Sequence, residues 1–265
     1  MKIQNAYDSE SSVKDRERGQ RSEEVAQWYF RLNGVFLIPG FIVHPDVPQK
    51  HPRTEADLLG IRLQNSSEGI WRPNRNNKFR KEANRITMKD DSIILDASMH
   101  GTVKKHLVCM IEVKTGECNI NGPWSDNYGT NQNIEQSNMK RALGRVGFGN
   151  HTETTSAAKD MYEHLRHVGN TFIVQYFAVG RNISIELRDK YPKLVQITFD
   201  QIGAFLQSRF TDFPEKIPAD YEIDLWRGFG DKFRRWFESS GYQTTPSVVS
   251  CQQALIKYIN TGQCG

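Results

Sequence analysis

The sequence predicts an α/β fold, with a central mixed β-sheet flanked by helices and a mostly helical C-terminal extension. Two observations predict this class. Helical and strand-like patterns follow one another in the order helix, strand, strand, strand, helix, strand, and helical patterns then prevail to the end. The composition agrees, because 37% hydrophobic and 25% charged residues exclude collagen-like, coiled-coil and wholly disordered chains.

The first predicted element is a helix that follows a polar N-terminal segment. Residues 1–20 are rich in charges and poor in apolar side chains, which predicts a mobile arm. Ser22 is a good N-cap residue, and Asn33-Gly34 is a typical helix end, so the helix is predicted between them. Its apolar face comprises Val25, Trp28, Tyr29 and Leu32.

The next elements are the strands of the predicted core. β-branched and apolar residues predict an extended stretch at 35–43 and strands at Thr54–Leu63 and His106–Thr115. A polar, basic insertion at about residues 64–105 separates these two strands, and it contains a short predicted strand at Ser92–Asp96.

The remaining chain completes the sheet and then becomes helical. A helix is predicted at Asn133–Gly144, and strands are predicted at Thr171–Val179 and Leu194–Phe199. Further helices are predicted at 200–210, Asp231–Ser239 and Ser247–Asn260. The expected organisation is therefore an arm at 1–20, a core at 21–185 and a helical extension at 186–265 that packs on the core.

Several classes of protein are excluded by simple features of the chain. The longest apolar run, Val35 to Val43, has about half the length that a membrane-spanning helix needs, and the N-terminus lacks the apolar stretch of a signal peptide. We therefore expect a cytoplasmic protein without a membrane partner. The four cysteines show no C-x2-C spacing, which excludes a zinc ribbon. A net charge of +4 permits a polyanionic partner.

The sharpest local signal is the pair Glu112 and Lys114. Alternate residues of a strand share a face, so these two side chains point away from the core side that Ile111 and Val113 occupy. Burial of a carboxylate and an ammonium group on a strand costs free energy unless the two groups form an ion pair or serve a function. The pattern predicts either an ordinary ion pair or a functional pair.

Two further acidic residues stand out. Asp57 lies inside an apolar strand, where a carboxylate is unexpected, and Glu23 lies in the first turn of the predicted helix. Taken alone, Glu23 needs no more explanation than a favourable interaction with the helix dipole.

Together these residues resemble the active-site motif of the restriction-endonuclease-like superfamily, the PD-(D/E)xK nucleases. Asp57 matches the family's aspartate, and Glu112 and Lys114 match its E-x-K. Gly19, Glu23 and Gly34 fit the G-x3-E…G pattern of some members, although Ala56 replaces the proline of the name. Gln136 and Lys140 have the Gln-x3-Lys spacing that many members show on the following helix. The resemblance covers residues 19–179.

The resemblance implies a metal-dependent endonuclease that hydrolyses DNA. Asp57, Glu112 and the backbone carbonyl of Val113 would bind Mg²⁺, for which Mn²⁺ can substitute. Lys114 would orient or deprotonate the attacking water or stabilise the transition state, and Glu23 would assist metal binding. Because the basic insertion makes the gap between the motifs long, other aspartates are alternatives to Asp57 as the metal carboxylate. These are Asp90, Asp91 and Asp96.

DNA is the expected partner, and basic residues beside the motifs are the expected contacts. The nucleic-acid-binding residues are predicted to be Gln136, Lys140, Arg141, Arg75, Lys78 and Arg80. The superfamily implies a role in restriction or anti-phage defence and a homodimer or partner subunit. The alternatives are a non-catalytic nucleic-acid-binding module on the same fold and an interaction protein with an ordinary ion pair. RNA is the alternative substrate.

Overall fold

The structure, a computed structural model, describes residues 10–43, 54–63, 70–73, 79–82, 105–121, 138–145, 147, 150–212, 228–240 and 245–265. Its first half comprises α1 (Glu10–Leu32), β1 (Phe36–Val43), β2 (Thr54–Arg62), β3 (Ile70–Pro73), β4 (Phe79–Glu82) and β5 (His106–Val113). Its second half comprises α2 (Asn138–Arg145), α3 (His151–His164), β6 (Arg166–Val168), β7 (Phe172–Gly180), α4 (Ile185–Lys190), β8 (Val195–Thr198), α5 (Phe199–Asp212), α6 (Phe229–Ser240) and α7 (Val248–Thr261).

A mixed sheet of six strands organises the described part of the chain. β1, β2 and β5 are antiparallel neighbours in that order, and β7 lies parallel to β5. The other edge of β7 is shared, because β6 pairs with its first half and β8 with its second half. β3 and β4 form a separate hairpin. This mixed sheet with flanking helices confirms the predicted α/β class.

Helices cover the sheet on both faces, and each face has its own hydrophobic cluster. One cluster joins α1, α5, α6 and α7 to the side of β5 that carries Ile111 and Val113. The second joins α2 and α3 to the side that carries Val108, Met110 and Tyr176. β8 belongs to the sheet, and α5, α6 and α7 belong to the first cluster.

The predicted start of the first helix at Ser22 is wrong, because α1 begins at Glu10. The segment before Ser22 has few apolar residues, but its long polar side chains favour helix and pair along it. Arg21 lies 3.2 Å from Glu17 one turn away, and its Nε donates to the Ile259 carbonyl at 2.7 Å. The part of the predicted mobile arm that follows Glu10 is therefore helical.

Most other elements agree with the sequence patterns to within a few residues. The predicted strands at 35–43, 54–63, 106–115, 171–179 and 194–199 are confirmed, as are helices over 200–210, 231–239 and 247–260. The predicted helix at 133–144 is confirmed from Asn138 onward, while the strand predicted at Ser92–Asp96 lies outside the described residues. The sequence analysis missed α3, although its capping box, Asn150 with Glu153, is a recognisable start signal. Among the described residues, no helix is both long enough and apolar enough to cross a bilayer.

A carboxylate of α1 joins this helix to the C-terminal helices. Glu24 Oε1 accepts a hydrogen bond from the backbone N–H of Phe229 at 2.7 Å, and Oε2 accepts one from the hydroxyl of Tyr258. Burial and the nearby Glu24 raise the pKa of Tyr258, so its hydroxyl stays protonated and donates. Glu24 thus fixes the start of α6 and the end of α7 against α1.

Gly228→Ala is expected to destabilise the protein by about 1–3 kcal/mol. Gly228 has a φ of +69°, which alanine adopts with difficulty, and an added Cβ would lie 1.7 Å from Glu24 Oε1. Urea denaturation measures the change in the free energy of unfolding. Gly19→Ala is the matched control: Gly19 lies within α1 with open space around it, so alanine should keep or raise stability. Equal stability of the two variants would contradict the expectation.

Candidate active site

The pairing of β2 with β5 brings the two predicted carboxylates together. The antiparallel register places Leu58 opposite Ile111, and one further step places Asp57 opposite Glu112. Asp57 Oδ2 also accepts a hydrogen bond from the backbone N–H of Val113 at 2.7 Å. Residues 55 positions apart in sequence are thereby adjacent at one end of the sheet, on the face that α2 and α3 cover.

Glu112 and Lys114 form the ion pair that their spacing allows. Lys114 Nζ donates to Glu112 Oε1. The Glu112 side chain is only 2% exposed, whereas that of Lys114 is 40% exposed, so the pair runs from the interior to the surface. Glu112 Oε2 is buried and has no hydrogen-bond partner of ordinary geometry among the described residues. A buried carboxylate oxygen that accepts no hydrogen bond can bind a cation.

Tyr176 is a member of this cluster that the sequence analysis missed. It lies on β7, is 1% exposed, and directs its hydroxyl to the Glu112 carboxyl group. The backbone N–H of Asn121 donates to the same hydroxyl. Within Thr171–Val179 this tyrosine is one of several aromatic residues of a buried strand, and no local pattern distinguishes it from packing residues.

Both carboxyl groups, Asp57 and Glu112, have pKa values that are raised above the ordinary ones. Burial, together with the negative charge of Asp57, raises the pKa of Glu112 to about 7, although Lys114 and Tyr176 oppose the shift. Burial also raises the pKa of Asp57, against the hydrogen bond from Val113 and the charge of Lys114. Two carboxylates in this position repel each other, and a bound cation would remove that repulsion.

The residues present fit a hard divalent cation. Mg²⁺ prefers oxygen ligands, keeps several waters, and is commonly held by one or two carboxylates. Asp57 and Glu112 supply such a pair, and Glu112 Oε2 is a buried acceptor that has no partner of ordinary geometry in the part of the chain that the structure describes. Within the described ranges, no group of three or more His, Cys, Asp or Glu residues forms a fuller cage. This donor set favours Mg²⁺ or Mn²⁺ over zinc.

Glu23, the fourth predicted catalytic residue, lies elsewhere. It is half-buried on α1, which packs on the opposite face of the sheet. The charges with the largest effects on the pKa of Glu112 are those of Asp57 and Lys114. Its neighbour Glu24 has the structural role described above. A catalytic role for Glu23 therefore stays a prediction.

Two of the predicted nucleic-acid contacts lie on the face of the sheet that carries the carboxylates. Lys140 and Arg141 are half-buried on α2, whose Met139 and Leu143 share a hydrophobic cluster with Tyr176. Lys140 Nζ lies 2.9 Å from His151 Nε2 on α3. Arg80, another predicted nucleic-acid contact, lies on β4 of the separate hairpin. The remaining predicted contacts and the alternative aspartates lie outside the described residues: Arg75, Lys78, Asp90, Asp91, Asp96 and Gln136.

Comparison with known proteins does not assign this site. No protein-family model matches the chain, and neither a curated protein nor a solved structure shows significant similarity to it. The interpretation of the site therefore depends on its own geometry and chemistry.

Proposed function

We propose that this protein is a metal-dependent endonuclease that hydrolyses DNA phosphodiester bonds. One observation supports the proposal above all: Asp57 and Glu112 meet across two strands, and Lys114 extends from Glu112 to the surface. The order α1, β1, β2 with Asp57, β5 with the E-x-K, α2 and β7 is compatible with a restriction-endonuclease-like core. That core, like a role in restriction or anti-phage defence, is part of the proposal.

Asp57 and Glu112 would hold the metal ion, with the backbone carbonyl of Val113 as a third oxygen ligand. A bound Mg²⁺ or Mn²⁺ lowers the pKa of coordinated water and neutralises charge on phosphate oxygens. Glu112 Oε2 suits this role because it is buried and has no partner of ordinary geometry within the described ranges, while Oε1 is held by Lys114. The protein thus positions one carboxylate oxygen by an ion pair and leaves the other for the cation.

Lys114 is the proposed catalytic cation. Its ammonium group is anchored to Glu112 and partly exposed, so it can reach a phosphate or a water at the surface above the buried carboxylates. There it would orient the attacking water or stabilise charge in the transition state. Lys140 and Arg141 would contact DNA phosphates from α2, on the same face of the sheet.

The alternative function is a nucleic-acid-binding module that does not cut. The same basic residues would support nucleic-acid binding, but the buried carboxylate pair would then cost free energy without serving a function. Metal dependence separates the two functions. We therefore propose incubation of supercoiled and linear plasmid with the purified protein in Mg²⁺, Mn²⁺ or EDTA. Cleavage in either metal and none in EDTA supports the nuclease. DNA retention in EDTA without cleavage in any metal supports the binding module, and neither activity contradicts both.

Asp57→Asn is expected to lower the cleavage rate about 10²–10³-fold, because a ligand of the metal is lost along with several kcal/mol of transition-state stabilisation. Asp96→Asn is the matched variant, since Asp96 is the main alternative to Asp57 as the metal carboxylate. Its cleavage rate should stay at the wild-type value. Plasmid cleavage under single-turnover conditions measures both rates. The reverse pattern, with loss in Asp96→Asn alone, would transfer the metal site to the basic insertion.

A further inference from the structure

We infer that Tyr176 is a positioning residue for the proposed metal site: its buried hydroxyl orients the Glu112 carboxyl group so that one oxygen remains available to the cation. The inference rests on the proposed function and adds a residue that the E-x-K pattern does not contain.

The strand register explains how Tyr176 reaches Glu112. In the parallel pairing of β5 with β7, Glu112 lies opposite Ala178, and Tyr176 is two residues earlier on the same face. Ala178 places only a methyl group beside the carboxyl group. Two residues of strand advance about 6.6 Å, a span that a long aromatic side chain covers. The tyrosine ring therefore runs along the strand and ends at Glu112.

The hydrogen bonding of the hydroxyl gives it a direction. The backbone N–H of Asn121 donates to the phenolic oxygen, so the hydroxyl hydrogen is free for another acceptor. The acceptor that it faces is the Glu112 carboxyl group, whose Oε1 is already held by Lys114. Among the residues that the structure describes, Glu112 Oε2 has no partner of ordinary geometry. Lys114 and Tyr176 thus both lie against this carboxyl group, and together they limit its rotation.

Burial determines that Tyr176 acts through Glu112. Only 1% of the residue is exposed, and its ring belongs to the hydrophobic cluster beneath α2 and α3. DNA cannot reach the hydroxyl, so Tyr176 is not a catalytic residue. Groups that orient metal ligands in this way commonly change metal affinity about 10–100-fold when they are removed.

The test is Tyr176→Phe in the full chain, which removes the hydroxyl and keeps the ring. Thermal unfolding is followed over a Mg²⁺ titration without DNA, and plasmid cleavage is followed over the same titration. Tyr29→Phe is the control, because Tyr29 is an equally buried tyrosine that packs against Phe30 and Phe205 on the opposite face of the sheet. Circular dichroism verifies that both variants fold.

We expect Tyr176→Phe to raise the Mg²⁺ concentration for half of the thermal shift about tenfold or more. The midpoint of cleavage should rise by the same factor, whereas the KM for DNA should stay at the wild-type value. Tyr29→Phe should keep the wild-type midpoints. An unchanged midpoint in Tyr176→Phe, with a normal response of the wild type, would overturn the inference alone. A wild type with neither a thermal shift nor cleavage in Mg²⁺ would overturn the proposed function and the inference with it.

Discussion

Replacement of Lys114 by alanine is expected to lower the rate of Mg²⁺-dependent DNA cleavage about 10²–10⁴-fold. Lys114 donates a hydrogen bond to the buried Glu112 carboxylate, and its side chain extends toward the surface. Its loss removes the group that would act on the attacking water or the transition state. It also removes the ion pair that holds Glu112 Oε1, so metal binding should weaken as well.

Single-turnover cleavage of plasmid at saturating Mg²⁺ separates the loss of chemistry from weaker metal binding. Lys105→Ala is the control, because Lys105 precedes the same strand at its opposite end, where it donates to the carbonyl of Gly169. That variant should cleave at the wild-type rate. Cleavage that survives Lys114→Ala unchanged would place the active site elsewhere or reveal a contaminating nuclease, and the proposed function would have to be withdrawn.

The fold class and most elements could be predicted from the sequence because they depend on local patterns. β7 is a run of apolar and β-branched residues, and α7 begins at an N-cap serine, Ser247, whose side chain accepts from the N–H of Ser250. α1 was harder to delimit, because the stability of its N-terminal half depends partly on a contact between Arg21 and the distant residue Ile259. A contact across more than 200 positions leaves no trace in the local sequence.

The candidate site shows the same division between local and long-range information. Alternation within one strand is local, so the shared face of Glu112 and Lys114 could be predicted. The approach of Asp57 to Glu112 required the register of β2 against β5, which is set by many cross-strand contacts together. Tyr176 comes from a third strand, and its position near Glu112 depends on the register of β7 against β5. Sequence patterns therefore indicate that Glu112 and Lys114 share a face, whereas the approach of Asp57 and Tyr176 to them depends on the pairing of the strands.

The raised pKa of Glu112 leads to the second large expected effect: the metal-free protein loses stability as pH rises from about 5 to about 8. Burial and the charge of Asp57 raise this pKa from 4.5 to about 7 in the folded state. The folded protein thus holds a proton that the unfolded chain releases. The stabilisation is fully present below pH 4.5 and is lost as pH rises through about 7. At 1.36 kcal/mol per pH unit the loss reaches about 3 kcal/mol.

Glu112→Gln isolates this effect, because glutamine is neutral at every pH. The variant should match the wild type near pH 5 and exceed its unfolding temperature at pH 8 by roughly 6–12 °C in EDTA, on the scale of 2–4 °C per kcal/mol. Glu117→Gln, at an exposed position four residues beyond β5, should show no such gain.

Addition of Mg²⁺ should reverse the order of stability at pH 8. A cation at the carboxylate pair replaces the proton as the source of charge compensation, so the wild type gains stability in proportion to its occupancy. Glu112→Gln lacks a metal ligand and should gain far less. Calorimetric scans in EDTA and in Mg²⁺ at both pH values supply the comparison. The expectation fails if Glu112→Gln does not have a higher unfolding temperature than the wild type in EDTA at pH 8. That result would show that other groups of the protein already compensate the charges of the two carboxylates. In that case the main physical reason for a cation at this site would be lost.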